Sequence, residues 1–260
     1  MRTALTIAGS DSSGGAGIQA DLKTFAALGV YGTSAITAVT AQNTIGITAI
    51  SPLSADLVIA QIEAVASDIQ IHATKIGMLA TSAIAEAVAA AIEELDLPRV
   101  VVDPVMAAKS GARLLDEEGV RTLCTELLPR TFVVTPNIPE AEVLSGRRIA
   151  SADDRREAAR RIHGMGPSAV IVKGGHAAGD EIVDLLFDGE RFSELRTARV
   201  PGRHTHGTGC TFASAIAANL ALGHSLADAA ARAQSYVAGA IRHGLEIGKG
   251  QGPLDHFWQG

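Results

Sequence analysis

The chain has 260 residues, 47% of them hydrophobic but only 3% aromatic, and a formal charge of −6. That length buries one large core, and its many small aliphatic residues suit helices packed on a parallel sheet better than an aromatic-rich sandwich. The acidic balance argues against a nucleic-acid-binding face, and no stretch is apolar for long enough to span a membrane.

Residues 4–8 read as a strand that runs into the small-residue loop 9–17, followed by a helix over 18–28 with Gly29 behind it. The loop suits a phosphate or serves as a plain connector, since Gly15-Ala16-Gly17 lacks the third glycine of the dinucleotide fingerprint. A strand over 34–41 closes in Gln42-Asn43-Thr44. Ser54 opens a helix to residue 68, a short strand covers 73–78, and an alanine-rich amphipathic helix covers 81–95. Residues 99–106 form the clearest buried strand, with Asp103 and Pro104 at its carboxyl end, where open α/β sheets bind ligands. Asp103 is thus a candidate for metal or phosphate work, or else a turn cap. The loop 107–113, with Lys109 and Arg113, reads either as a lid or as a solvated connector. After a helix over 116–128 and a strand over 131–135, Asn137 and Glu140 stand three apart at the next helix start. One face there offers oxygen ligands to a hydrated Mg²⁺, and equally the partners of a capping box.

The helix over 151–165, dense in Arg and Asp, is a solvated one. A strand over 168–172 ends in Lys173-Gly174-Gly175-His176, whose lysine suits ATP phosphates or is one more exposed base. Residues 182–187 and 191–196 form a hairpin about Asp188-Gly189 that adds antiparallel strands at the sheet edge. Then comes the turn Thr205-His206-Gly207-Thr208-Gly209-Cys210. Two glycines one residue apart before a small-residue helical run leave backbone amides open at a helix N-terminus, which makes an anion cradle or else serves only tight packing at a strand-to-helix junction. The same field is expected to favour the Cys210 thiolate, so that a proton acceptor stands beside an anion hole, as phosphoryl transfer requires. His204 and His206 have no cysteine or acid cluster beside them and do not read as a zinc site. The helix runs on to residue 222, and Ser225-Leu226-Ala227-Asp228 caps a last long helix to about residue 243. No repeat, linker or low-complexity segment divides the chain, so one domain over 1–260 is expected. Cys124 and Cys210 imply no structural disulfide, the apolar run at the start is too short for a secretory signal, and a reducing cytoplasm is the expected location.

Several long matches fall in order along the chain: residues 8–24, Thr74-Lys75-Ile76-Gly77-Met78-Leu79, Asp103-Pro104-Val105-Met106, Lys173-Gly174-Gly175-His176 and Thr205-His206-Gly207-Thr208-Gly209-Cys210-Thr211. Together they resemble the hydroxymethylpyrimidine/phosphomethylpyrimidine kinases, the thiamine-pathway branch of the ribokinase-like superfamily. The resemblance implies a three-layer α/β/α fold with a mostly parallel central sheet and antiparallel edge strands, a homodimer, and ATP and Mg²⁺ as co-substrates. One site would phosphorylate 4-amino-5-hydroxymethyl-2-methylpyrimidine to its monophosphate and then to its diphosphate.

By the same resemblance Gln42, Gly9, Asp21, Met78 and Val105 surround the pyrimidine, and Cys210 replaces the aspartate base of the sugar kinases beside Gly207, Thr208 and Gly209. Lys173, Thr205 and Lys249 would meet the nucleotide, and Asp103, Asn137 and Glu140 the metal. The Gln42 amide can accept from the ring's amine while donating to the adjacent ring nitrogen. Met78 and Val105 would wall a flat ring, although Met78 also suits core packing. Two alternatives stay open: a pyridoxal or pyridoxine kinase, whose substrate is also a flat ring with a primary alcohol, and a nucleotide- or vitamin-binding regulator without turnover.

Overall fold

A computed structural model describes residues 1–108, 111, 113–175, 179–202 and 204–259. Lys109 of the lid reading and His176 of the lysine motif lie outside these residues.

Runs of β-branched and small residues build a nine-stranded sheet among the described residues, ordered β3-β2-β1-β4-β5-β6-β7-β8-β9. Its strands are β1 (Thr3–Asp11), β2 (Tyr31–Gln42), β3 (Ile47–Pro52), β4 (Ala73–Ile76), β5 (Val100–Val102), β6 (Val133–Val134), β7 (Ala169–Val172), β8 (Glu181–Phe187) and β9 (Phe192–Ala198). Neighbours from β2 through β7 pair in parallel, whereas β3 on one edge and β8 and β9 on the other pair antiparallel. The sheet is thus mostly parallel with antiparallel edges, as expected. Strand β3 has no counterpart in the sequence reading, because its alternate residues face solvent at an edge and leave only a faint apolar pattern. The long strand expected over 99–106 pairs only through Val100–Val102, since Pro104 has no N–H to continue the ladder.

The two-residue period of the strands divides the core. Leu5, Ile7, Ile76, Val100, Val102 and Val170 face one way, onto α2 (Ala55–Ala66), α3 (Ser82–Glu94), α4 (Glu117–Thr122), α5 (Ile138–Ser145) and α6 (Ala152–His163). Ala4, Ala73, Val101, Val133 and Ile171 face the other, onto α1 (Gly17–Ala27), α7 (Thr208–Ala221) and α8 (Leu226–Arg242). The result is three layers, each fully buried aliphatic side chain contributing about 1.5–3 kcal/mol. The helix expected over 116–128 is interrupted: α4 passes into a π turn over Leu123–Leu127 and a 3₁₀ turn over Leu128–Arg130, where Pro129 cannot donate.

Helix starts fall into two groups. Ser54, Thr81, Asp116, Asn137, Ser151 and Ser225 each accept a backbone N–H from the helix that they open. Helices α1 and α7, entered through Ala16 and Gly207, have no side-chain cap. Both starts lie at the carboxyl edge of the parallel strands, where Asp11, Gln42, Asp103 and Lys173 also emerge.

Candidate active site

A cavity of about 920 Å³ occupies that edge, between the loops that follow the parallel strands. Its walls include Ala16 and Gly17 at the start of α1, and Gly207, Thr208, Gly209 and Cys210 at the start of α7. The two loops interlock through glycines. Gly207 has φ +84°, and a Cβ there would lie 1.8 Å from the carbonyl oxygen of Gly15. Gly17 has φ +57°, and a Cβ there would lie 2.2 Å from the Gly9 oxygen. Gly207→Ala is therefore expected to cost about 1–3 kcal/mol from backbone conformation alone, with the steric clash in addition. Loss of phosphoryl transfer together with a lower melting temperature checks this; an unchanged melting temperature would refute it.

Cys210 lies in the first turn of α7, and the Gly17 N–H at the start of α1 favours its thiolate. Two helix N-termini thus converge on one sulfur. The expected thiolate is nevertheless not what the free protein holds. Burial, helped by the Asp21 and Asp103 carboxylates, pushes the thiol up to about 11, and the Lys75 ammonium and the Gly17 N–H offset only part of this.

Beneath the sulfur lies a charge cluster drawn from four elements. Lys75 Nζ of β4 donates to both Asp21 oxygens of α1, at 2.9 and 2.8 Å. Thr6 of β1 and Ser214 of α7 donate to the same carboxylate, each at 2.6 Å. Both ionic side chains are fully buried. Burial pulls the Lys75 ammonium down, but Asp21, Cys210 and Asp103 more than offset it and leave the group above its usual range. Asp21, which the resemblance places at the pyrimidine, is fully buried and does not itself line the cavity: it holds Lys75 from below. The cavity is reached by Lys75 itself, which the sequence reading quoted only as part of a motif. Its one legible signal is a lysine inside a strand whose neighbours are otherwise uncharged.

Near the start of α7, Lys173 Nζ donates to Asp103 Oδ1 at 2.7 Å. Gly209 makes room for the pair, since a Cβ there would stand 3.1 Å from Asp103 Oδ2 and 3.3 Å from Lys173 Nζ. Asn137 and Glu140 form the capping box: Asn137 Oδ1 accepts the Glu140 N–H at 2.9 Å, and Glu140 Oε2 accepts the Asn137 N–H at 2.8 Å. The capping reading of this pair is thus fulfilled, and the Asn137 oxygen already has a donor. Burial raises the Glu140 carboxyl to about 7, with Asp103 adding to the rise and Lys173 and the Asn137 hydrogen bonds opposing it.

A buried acid held near neutrality beside a second carboxylate is a place that an added cation would stabilise. The donor set of Asp103 and Glu140 fits a hydrated Mg²⁺ completed by water and phosphate oxygens. Among the described residues no group of three or more His, Cys, Asp or Glu forms a closed metal site. An acid raised from 4.5 to about 7 binds its proton more tightly when folded, so stability falls as pH rises through that window. Glu140→Gln keeps the cap acceptor. It is expected to raise the melting temperature of the unliganded protein at pH 8 and to abolish any upward shift produced by Mg²⁺ alone; calorimetry with and without the ion checks both.

Gly9, Gln42, Met78 and Val105 line the same cavity. A Cβ at Gly9 would meet Met78 Cε at 2.3 Å, so the bare glycine lets the thioether lie against β1. Gln42 touches Thr40 and His206, and His206 Nε2 lies 2.9 Å from Asp11 Oδ2. Thr205 and Lys249 also line the cavity. Lys249 sits beside the β2–β3 turn, where Gly250 and Gln251 donate to Thr44 at 3.1 and 3.0 Å. Asp11 and His206 were not singled out from the sequence as site residues, and only the tertiary contact between their loops brings them to Gln42.

A doubly wound α/β/α sheet, with an uncapped glycine turn and a lysine–aspartate pair at its carboxyl edge, defines the ribokinase-like class of small-molecule kinases. The chain matches the family described as Phosphomethylpyrimidine kinase over residues 11–255, and it belongs to that family. It is 52% identical to the hydroxymethylpyrimidine/phosphomethylpyrimidine kinase of Bacillus subtilis over 98% of this chain and 94% of that one. Among solved structures, the ADP complex of Bacillus subtilis pyridoxal kinase superposes with TM-score 0.93 at 39% identity, covering 100% of this chain and 98% of that one. Phosphomethylpyrimidine kinase from Clostridium difficile superposes with TM-score 0.83 at 43% identity, covering 93% and 100%. Among the described residues no helix is long and apolar enough to cross a membrane.

Proposed function

We propose that this chain transfers the γ-phosphoryl group of ATP to the alcohol of 4-amino-5-hydroxymethyl-2-methylpyrimidine, and then a second one to the resulting monophosphate. The observation that carries this reading is the shared cavity: the uncapped start of α7 opens onto the same space as the amide of Gln42 and the apolar walls Met78 and Val105. The backbone amides of residues 207–210, with Lys173, take the charge of the transferring group, and Lys173, Thr205 and Lys249 meet the nucleotide. Mg²⁺, when bound by Asp103 and Glu140 next to Asn137, supplies neutralisation of phosphate charge.

Cys210 accepts the alcohol proton. Only its thiolate can do so, and because that proton leaves late in a loose transition state, the minor thiolate fraction present at neutral pH suffices. Positioning and anion stabilisation then carry most of the rate. A single domain over 1–260, a homodimer and a cytoplasmic location complete the proposal. Exposed Val39 and Ile45 on the β2–β3 ribbon are consistent with a partner there, and sedimentation velocity reads the stoichiometry.

The likeness to a pyridoxal kinase favours a second reading, in which the alcohol belongs to a pyridine. One assay separates the two. The protein is offered each ring with ATP and Mg²⁺, ADP release is followed, and products are identified by mass. Mono- and diphosphorylated pyrimidine are expected. Turnover of pyridoxal alone, or ligand-dependent melting shifts without ADP from either ring, would replace the proposal by one of its alternatives.

A further inference from the structure

Asp11 is an acceptor already surrounded by donors. Its Oδ1 takes the Ser13 N–H and hydroxyl at 2.8 and 2.7 Å, and its Oδ2 takes the N–H groups of Gly15 and Ala16 at 3.2 and 2.9 Å. Four such bonds require a carboxylate, and the only role left for His206 Nε2, 2.9 Å from Oδ2, is to carry a hydrogen and donate it. The same nitrogen lies 3.2 Å from the Gln42 amide, placed with Nε2 toward His206 and Oε1 3.1 Å from the Thr40 hydroxyl. In that arrangement two donors confront each other.

Turning the amide by half a revolution resolves the conflict. Oε1 then shares the single Nε2 hydrogen of His206 with Asp11, and Nε2 donates to Thr40 Oγ1, whose own hydrogen goes to the Ser10 carbonyl at 3.0 Å. No two donors then face each other along the chain Asp11–His206–Gln42–Thr40–Ser10. The nitrogen and oxygen of an amide differ little in shape, so partners of this kind decide its sense.

We infer that His206, anchored by Asp11, is a positioning residue that sets the sense of the Gln42 amide and through it the way the substrate ring faces. This rests on the pyrimidine reading of the cavity. With the carbonyl on the His206 side, the ring's amine lies on that side and the acceptor ring nitrogen lies toward Thr40. The carbon next to the amine bears the hydroxymethyl group, so the alcohol is aimed at the turn that begins one residue after His206. A reversed amide would require a reversed ring, with its alcohol carried away from Cys210. The site thus selects a heteroaromatic ring with an amine beside an acceptor nitrogen, and rejects the 4-oxo analogue, in which acceptor and donor are exchanged.

The test compares kcat/KM for the 4-amino and 4-oxo rings. The unsubstituted protein is expected to prefer the amine by about a hundredfold or more, and His206→Phe, which frees the amide to turn, to reduce that ratio by about tenfold or more. His206→Gln keeps an N–H near the same point and should keep the ratio, while KM for ATP stays constant throughout. Equal losses on both rings in His206→Phe, with the ratio intact, overturn the inference and leave a structural role. A measurement without substrate separates this from the function itself. In NMR spectra the Gln42 side-chain amide protons should show contacts to Thr40, and His206 should carry its hydrogen on Nε2; amide protons beside the imidazole overturn the inference whatever the ring. Turnover of neither ring would instead reject the kinase reading.

Discussion

Cys210→Ala is expected to slow phosphorylation of the alcohol by about 10²–10⁴-fold while leaving transfer to the monophosphate within about tenfold of the unsubstituted rate. The asymmetry follows from protons. A hydroxymethyl group must lose one as its oxygen attacks, whereas a monophosphate is already anionic and needs no base. The pH profiles should divide in the same way. Below about 11 the thiol keeps its proton in the free protein. The thiolate fraction, and with it kcat/KM for the alcohol, therefore rises about tenfold per pH unit from neutrality upward, and the alanine variant loses that slope. The monophosphate reaction should show no such rise. Equal losses in both reactions, or a slope that survives the substitution, would leave Cys210 an anion-binding or packing role only.

Lys75→Met should be the most damaging single change to the fold. It removes the only cation bonded to Asp21 among the described residues and leaves a carboxylate sealed from water with two hydroxyl donors, Thr6 and Ser214. Breaking one side of such a pair costs about 3–5 kcal/mol. Replacing both partners, as in Lys75→Met with Asp21→Asn, should return part of that loss, because the uncompensated charge is gone. Urea denaturation of the single and double variants measures both terms. A single variant as stable as the original chain would show that the buried pair contributes nothing. The substitution also removes the ammonium that pulls the Cys210 thiol down. Iodoacetamide should then alkylate Cys210 with a midpoint shifted further to alkaline pH.

The sheet and the two cavity-lining turns were legible for a local reason. Glycines at 15, 17, 207 and 209 and aliphatic runs at 4–8, 99–102 and 168–172 state their backbone preferences within a few residues. The Ser54, Thr81, Ser151 and Ser225 caps stood at or next to the expected helix starts for the same reason. Where local signals competed, the reading was less sharp. Asn137 and Glu140 fitted a metal and a cap equally well, and their mutual hydrogen bonds show the cap fulfilled.

By itself, then, the amino-acid sequence determined the layered α/β/α architecture, the glycine turn that opens a helix at Gly207–Gly209 and the family to which the chain belongs. These depend on patterns that a short stretch of chain carries with it. Tertiary structure alone decided the protonation and partnership of the charged groups. Asp21 became a buried counter-ion to a lysine 54 positions away, Cys210 a thiol and not a thiolate, and His206 the neighbour of Asp11 across 195 positions. Desolvation and Coulomb forces act through space, and no local pattern records which charges the fold will seal together.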